Sequence, residues 1–236
     1  MENRALKKIV LFLLFIGCFA RMSAQGNLPY VDDKFIRFGF AVGVNTMDFR
    51  VFENLTEIDG KVYNAEVSRL KPGFSVGVTT DIRLHDYLNL RFVPMLHFSE
   101  RELTYRAKDE SETSSITVAS VPICVPIYLK YSAQRVNNCR PYLIGGVGAS
   151  LDLGRDKENP VMLEPLDFYV EFGAGCDLYF SFFKLSPELK FALGFNDIFT
   201  PLDQRTSGFI SENDKKYSNA LSKLTSRMLT LTFNFE

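Results

Sequence analysis

Residues 73–84 show the clearest alternation in the chain. Phe74, Val76, Val78, Ile82 and Leu84 share one face, and Gly73, Ser75, Gly77, Thr79, Asp81 and Arg83 share the other. A repeat of two residues is the repeat of a strand, not of a helix. The same pattern recurs along the chain. Ile36, Phe38, Phe40, Val42 and Val44 oppose Arg37, Gly39, Ala41, Gly43 and Asn45. Leu88, Leu90, Phe92, Leu96 and Phe98 oppose Asn89, Arg91, His97 and Ser99. Phe168, Val170, Phe172, Cys176, Leu178 and Phe180 oppose Glu171, Gly173, Gly175 and Asp177. Phe183, Leu185, Leu189, Phe191, Leu193 and Phe195 oppose Glu188, Lys190 and Gly194, and Leu229, Leu231, Phe233 and Phe235 oppose Thr230, Thr232 and Asn234. Residues 118–131 set Val121, Ile123, Val125, Ile127 and Leu129 against Pro122, Cys124, Pro126, Tyr128 and Lys130. Residues 141–151 are strand-like, with faces that the pattern does not assign.

Eight strands of this length suit a tilted wall that crosses a bilayer. Their connections alternate. Those at 46–72, 100–117, 152–167 and 196–227 are long, and those at 85–87, 132–140 and 181–182 are short. An even strand count with tight turns on one side and long loops on the other is the habit of bacterial transmembrane barrels. The expected fold is therefore all-β, an eight-stranded antiparallel transmembrane barrel over residues 36–236, with both termini periplasmic.

Alternation does not say which face is inside, because a soluble barrel alternates equally with its apolar face inward. Four features favour the inverted arrangement. Glycines 39, 43, 73, 77, 173, 175 and 194 lie among the charges, as a crowded lumen requires. The apolar face is nearly free of charge, and a lysine or arginine facing the bilayer midplane costs about 2–4 kcal/mol. Tyr87, Tyr105, Tyr131, Tyr179, Phe180 and Phe235 fall near strand ends, where aromatic rings anchor at the interface. The chain also closes on an alternating apolar strand, trailed by Glu236.

The turns permit sharper expectations. Pairing across 85–87 with Leu84 opposite Leu88 sets Asp81 against Arg91 inside and Phe74 against Phe98 outside. Across 181–182, Gly175 faces Glu188, Gly173 faces Lys190, and Glu171 lies diagonal to Lys190. Pro94, Pro122, Pro126 and Pro187 fall within these strands and forfeit ladder bonds, so bulges or strand ends are expected there.

Arg4, Lys7 and Lys8, the apolar run Ile9–Ala20 and the small residues before Gln25 have the layout of a secretory signal peptide over 1–24, with residues 25–35 a short periplasmic lead-in. Lipid attachment at Cys18 is the lesser alternative. Export permits disulfides, but Cys124, Cys139 and Cys176 are odd in number, and Cys124 and Cys176 point to opposite faces. Free thiols packed as small hydrophobes are expected. His85 and His97 are the only histidines and have no cysteine at ligand spacing, so no metal, cofactor or catalytic residue is expected. A net charge of −1 without a basic run gives no support to nucleic-acid binding.

Several runs resemble the PorT family. They are Phe38-Gly39-Phe40 with Gly43-Val44-Asn45-Thr46-Met47-Asp48-Phe49-Arg50, Asp86-Tyr87-Leu88-Asn89-Leu90-Arg91-Phe92-Val93-Pro94, and Val121-Pro122-Ile123-Cys124-Val125-Pro126-Ile127-Tyr128-Leu129-Lys130-Tyr131. The most specific runs from Arg135-Val136-Asn137-Asn138-Cys139-Arg140-Pro141-Tyr142 to Leu143-Ile144-Gly145-Gly146. Asp167-Phe168-Tyr169 and Phe183-Lys184-Leu185-Ser186-Pro187-Glu188-Leu189-Lys190-Phe191 continue it. Cys124 and Cys139 stand where larger apolar or aromatic residues are more usual in that family. The resemblance implies an outer-membrane barrel required by the type IX protein secretion system, which in some relatives supports gliding motility. Its implied partners are outer-membrane lipid and other secretion components.

An eight-stranded lumen is filled by side chains, so an accessory role through loops or turns is expected rather than a pore. Arg135 and Arg140, in the longest short turn, form a candidate docking point or an ordinary solvated turn. One alternative is a lipid-modifying enzyme using His97 and Ser99, two apart on one strand, with Glu100 or Glu102 to orient the histidine. Others are a structural or adhesive barrel unrelated to secretion, and a soluble carrier of an apolar ligand.

Overall fold

The structure, a computed structural model, describes residues 27–53, 63–107, 113–154, 161–200 and 221–236. The expected signal peptide and Cys18 lie outside them. Eleven strand segments are present among these residues: β1 (Ile36–Glu53), β2 (Tyr63–Leu70), β3 (Pro72–Arg83), β4 (Leu88–Phe92), β5 (Met95–Ala107), β6 (Thr113–Ser120), β7 (Pro122–Ser132), β8 (Cys139–Asp152), β9 (Leu166–Tyr179), β10 (Lys184–Gly194) and β11 (Leu221–Phe235). They form eight staves. β2 runs into β3 past Lys71, β4 into β5 past Val93 and Pro94, and β6 into β7 past Val121. β1 pairs with β3 on one side and with β11 on the other, and the remaining staves pair in chain order, all antiparallel. The ring is closed and has no free edge in the wall between the turns and the outer rim.

The expected registers hold. Asp81 pairs with Arg91 and Phe74 with Phe98. Gly175 pairs with Glu188 and Gly173 with Lys190. The question of inside and outside is decided by exposure. Phe74 and Phe172 are each 53% exposed on the outer wall, whereas Asp81 and Arg91 are 0% exposed within. A soluble carrier with an apolar interior is thereby excluded. Residues 141–151 also acquire faces: Tyr142 and Ile144 point inward, and Leu143, Val147 and Leu151 point outward.

The prolines behave in two ways. Pro122 opens β7, and Pro94 lies in the gap between β4 and β5, with its carbonyl still accepting from Val78 N at 3.1 Å. Pro126 and Pro187 sit inside β7 and β10, contrary to the expected bulges or ends. On the seam between the β4–β5 stave and β7, the ladder skips Val93–Pro94 opposite Val125–Pro126 and resumes in the same register. Two prolines thus share one interruption. The β9–β10 ladder likewise skips Ser186 and Pro187 without a shift, while Pro187 stays in register with Phe233 on the other side.

Two further expectations fail. Residues 46–72 and 100–117 are not mainly loops, since β1 continues to Glu53 and β5 and β6 extend the wall above the membrane. In that extension both faces change character. Inward residues of β1 go from Arg37 and Asn45 to Met47 and Phe49, and those of β5 from His97, Ser99 and Arg101 to Leu103 and Tyr105. Outward residues change the opposite way, from Val44 to Arg50 on β1 and from Phe98 to Glu100 on β5. A wall surrounded by acyl chains carries its charges within, and a wall surrounded by water carries its apolar residues within. The reversal marks the outer limit of the apolar layer.

The cysteine expectation is corrected as well. Cys139 and Cys176 form a disulfide with Cα atoms 6.5 Å apart, while Cys124 is free and buried. The β8–β9 register places Cys139 opposite Leu178 and Cys176 opposite Pro141, so the two cysteines are diagonal neighbours on one face. Strand parity alone could not supply that register.

Candidate functional site

The lumen has three layers, each built from residues the alternation turns inward. The lowest is at the periplasmic mouth. The lead-in folds back beneath the barrel in place of trailing away. Asn27 N donates to Asn138 Oδ1 at 2.8 Å, and Asn27 Nδ2 donates to the Tyr179 carbonyl at 3.0 Å. Arg135 donates to the carbonyls of Asn27 and Leu28, and its guanidinium lies over the Tyr179 ring at 3.7 Å. Tyr179 donates from its hydroxyl to Asp32 at 2.6 Å, and Arg140 pairs with the same carboxylate at 3.3 Å. The two arginines expected as a docking point are thus committed within the chain, gripping the lead-in. Beside them Arg83 donates to Asp86 at 2.6 Å and holds that carboxyl below the usual range. The grip also accounts for Tyr179, which was expected at the interface and is instead buried.

The middle layer is a closed charge network. Arg91 reaches Asp81 at 2.7 Å, Glu236 at 2.8 Å, and Glu188. Arg37 reaches Asp81 and Glu236, each at 3.3 Å. Lys130 pairs with Asp177 at 2.7 Å and Lys184 with Glu236 at 2.6 Å. Lys190 lies 3.7 Å from Glu188 and 3.9 Å from Glu171, the diagonal contact expected from the turn. Tyr128 donates to Glu171 at 2.6 Å and Tyr142 to Glu188 at 2.7 Å. Five cations face five carboxylates, all with side chains at most 5% exposed. Burial of a lone ion costs several kcal/mol, which only such pairing offsets. Glu236, the trailing residue after the last apolar strand, belongs to this network. Gly173 and Gly175 make room for it, because a Cβ at Gly175 would stand 2.5 Å from the Tyr142 ring.

The upper layer is apolar. Phe49, Leu103, Tyr105, Val118 and Leu224 from the wall enclose Val161, Leu163, Ile198 and Phe199 from segments expected as loops. Glu164 N donates to the Ile198 carbonyl at 2.8 Å, Thr200 N to Met162 at 3.0 Å, and Ile198 N to Leu224 at 2.9 Å. These segments cross the outer mouth and cap it. Tyr105, expected at a membrane interface, is part of this core.

The His97–Ser99 pair of the enzyme alternative is not joined by a hydrogen bond. His97 Nδ1 lies 2.7 Å from Ser75 Oγ, and Ser99 donates to Asn45 Oδ1. Glu100 points outward, within 3.3 Å of Lys71. Among the described residues no group of histidine, cysteine and acid side chains could hold a metal.

A family model described as "Outer membrane protein beta-barrel domain" matches residues 23–200. The chain belongs to that family. As a member of the outer membrane protein beta-barrel domain family, it resides in the outer membrane. Solved structures similar to the chain include two outer membrane proteins. OprG, an outer membrane protein of Pseudomonas aeruginosa, is 12% identical over 85% of this chain and 91% of its own, with a TM-score of 0.44. The outer membrane protein AlkL, solved in lipid bilayers, is 12% identical over 91% of this chain and 94% of its own, with a TM-score of 0.41. No curated protein matches the chain.

The lead-in grip and the apolar cap were not read from the sequence. The cap did leave a signal, since Val161 with Leu163 and Ile198 with Phe199 are apolar residues close together inside the two long connections 152–167 and 196–227.

Proposed function

We propose that this outer-membrane barrel is an accessory component of the type IX protein secretion system that acts by contact with other secretion proteins, not by conduction. One observation carries the second half of that reading. The lumen is filled at the periplasmic mouth, at mid-height and at the outer mouth by the three layers described above, so polypeptide has no route through the barrel. The first half rests on the residue runs that resemble the PorT family, which extend over most of the described wall. The reading is non-enzymatic. What supports it is that His97 is bonded to Ser75 and Ser99 to Asn45, so the His97–Ser99 pair of the lipid-modifying alternative is not hydrogen-bonded.

Contact surfaces for partners are the outer extension of the wall and the periplasmic turns. Deleting the gene is expected to leave secretion cargo in the periplasm and abolish gliding where the host glides, with the barrel recovered from outer membranes together with secretion proteins after crosslinking. Normal export in the deletion strain, with no secretion protein recovered, would leave a small structural barrel and remove the secretion role.

A further inference from the structure

The β6–β7 stave pairs with β8 only as far as the outer rim of the wall. Asp152 ends that ladder, opposite Pro122. Its carboxylate accepts from Val121 N at 3.0 Å, from Gly154 N at 2.9 Å and from the Ser120 hydroxyl, and Leu153 N donates to the Val121 carbonyl at 3.1 Å. Above this clasp β6 departs from β8. It runs antiparallel to β5, with Ser120 opposite Ser99 and Thr113 opposite Arg106, and among the described residues no other strand pairs with it. In such a ladder the main-chain groups of alternate residues point to opposite sides, so about half of those on β6 point away from β5.

β2, β5 and β6 thus form a small sheet above the membrane, and its two edges are built differently. The β2 sequence includes Glu66 and Arg69, and its pairing with β5 shifts register between Val67 and Arg69. Charges and bulges are the devices that keep a sheet edge from adding a strand. β6 reads Thr-Ser-Ser-Ile-Thr-Val-Ala-Ser, without a charge, a proline or a register shift. Its inward residues Ile116 and Val118 belong to the apolar core beneath the cap, and Ser115, Thr117 and Ala119 are exposed. One edge is guarded and the other is left receptive.

We propose that the edge of β6 away from β5 takes up an extended segment of another protein as an added strand, with apolar β-branched residues inward and uncharged or basic residues outward. Main-chain bonds supply the affinity of such an addition, and the alternate side chains supply the selectivity. Two arguments set a second copy of this chain aside. Copies in one membrane share one orientation, so a twofold axis between them lies along the membrane normal, and staves tilted by about 35–45° then cross instead of aligning. The surroundings are also acidic. Glu102 and Glu100 on β5 lie opposite Thr117 and Ala119, and the connection into β6 adds Asp109, Glu110 and Glu112; by sequence Lys71, Arg106 and Lys108 offset only part of this. Two such edges repel each other, whereas lysine or arginine on an incoming segment is attracted. The proposal deepens the contact role given to the outer extension, but strand addition is read without any secretion assay, so each can fail alone.

The test is amide hydrogen exchange on the full chain, folded in detergent, with the peptide Lys-Val-Thr-Val-Thr-Val-Lys as probe. Saturable binding is expected, slowing the fast-exchanging amides of β6 at least tenfold and leaving those of β2 unchanged. Two further peptides carry N-methyl groups on the valines alone or on the threonines and lysines alone. Side-chain face and N–H direction alternate together along a strand, so one should bind like the parent and the other at least tenfold more weakly. A peptide with glutamate in place of both lysines should bind at least threefold more weakly at low salt. Absence of saturable binding overturns the proposal, as does equal behaviour of the two methylated peptides, protection of β2 to the same extent as β6, or undiminished binding of the glutamate peptide. Slow exchange at every β6 amide before peptide is added overturns it in favour of cover by the chain itself. The same protection arising with concentration-dependent dimers overturns it in favour of a second copy.

Discussion

Asp81 and Arg91 face each other across the β3–β4 hairpin, with Arg91 Nη2 2.7 Å from Asp81 Oδ2 and both side chains shut off from solvent. The same guanidinium serves Glu188 on β10 and Glu236 at the end of the chain. One side chain therefore ties the β3–β4 hairpin to the last two staves.

Arg91→Met keeps the bulk and removes the charge, leaving Asp81, Glu188 and Glu236 short of a partner. Breaking a buried pair in this way costs about 3–5 kcal/mol. Urea unfolding of the detergent-folded barrel should shift to lower denaturant by a corresponding amount, and an unchanged midpoint would show that the network adds nothing.

Arg135→Ala removes the donor that grips Asn27 and Leu28 and the ring contact with Tyr179. The lead-in should then be released while the wall stays closed. Limited proteolysis is expected to cut near residues 28–34 much faster than in the unaltered protein, with the barrel fragment resistant in both. Equal cutting rates would mean that Arg140 and Asn138 suffice.

Gly173 lies inward, opposite Lys190, where an added Cβ meets the Leu189 carbonyl and the Lys190 stem at 2.9 Å. Gly145 lies on the neighbouring stave with nothing within 4 Å of such a Cβ. Gly173→Ala should lose about 1–3 kcal/mol by overpacking, and Gly145→Ala should be near neutral. Folding yields on unheated gels separate the two, and equal yields would contradict the crowded lumen.

Phe172→Arg places a charge on the outer wall where the side chain is over half exposed and neighbours Phe191. In lipid it should cost about 2–4 kcal/mol, falling toward zero if the position is close to the headgroups. Unfolding in vesicles, compared with Phe172→Leu, reads this difference directly.

Cys139 and Cys176 should resist alkylation in the unfolded, unreduced chain, while Cys124 is labelled. Peptide masses before and after reduction check this. Closing a loop across a separation of 37 residues stabilises by up to about 4 kcal/mol in the chain-entropy picture, less here because β8 and β9 are already hairpin neighbours. Labelling of all three without reductant would remove the bridge.

Much of this barrel was written in parity. Phe74, Phe98, Asp81 and Arg91 took their faces and partners from alternation plus one short turn, because a register slip of one residue would reverse every side chain of a strand. The proline gaps, the interface rings and the loops were less legible. Pro126 keeps its place because Pro94 and Val93 stand opposite it, a pairing that only the assembled seam brings about. Tyr105 and Tyr179 read as interface anchors until the wall showed where the apolar layer stops.

By itself, then, the sequence determined which residues share a face and, from its eight alternating runs, how many staves there are. A period of two is a local property of extended backbone and needs no partner to be read. Only the closed tertiary structure decided that Cys139 meets Cys176, that the lead-in lies under the mouth, and that Leu163 and Ile198 cap the other end. Those contacts join segments far apart in the chain, and their geometry follows from the stagger and closure of the ring, which no single strand encodes.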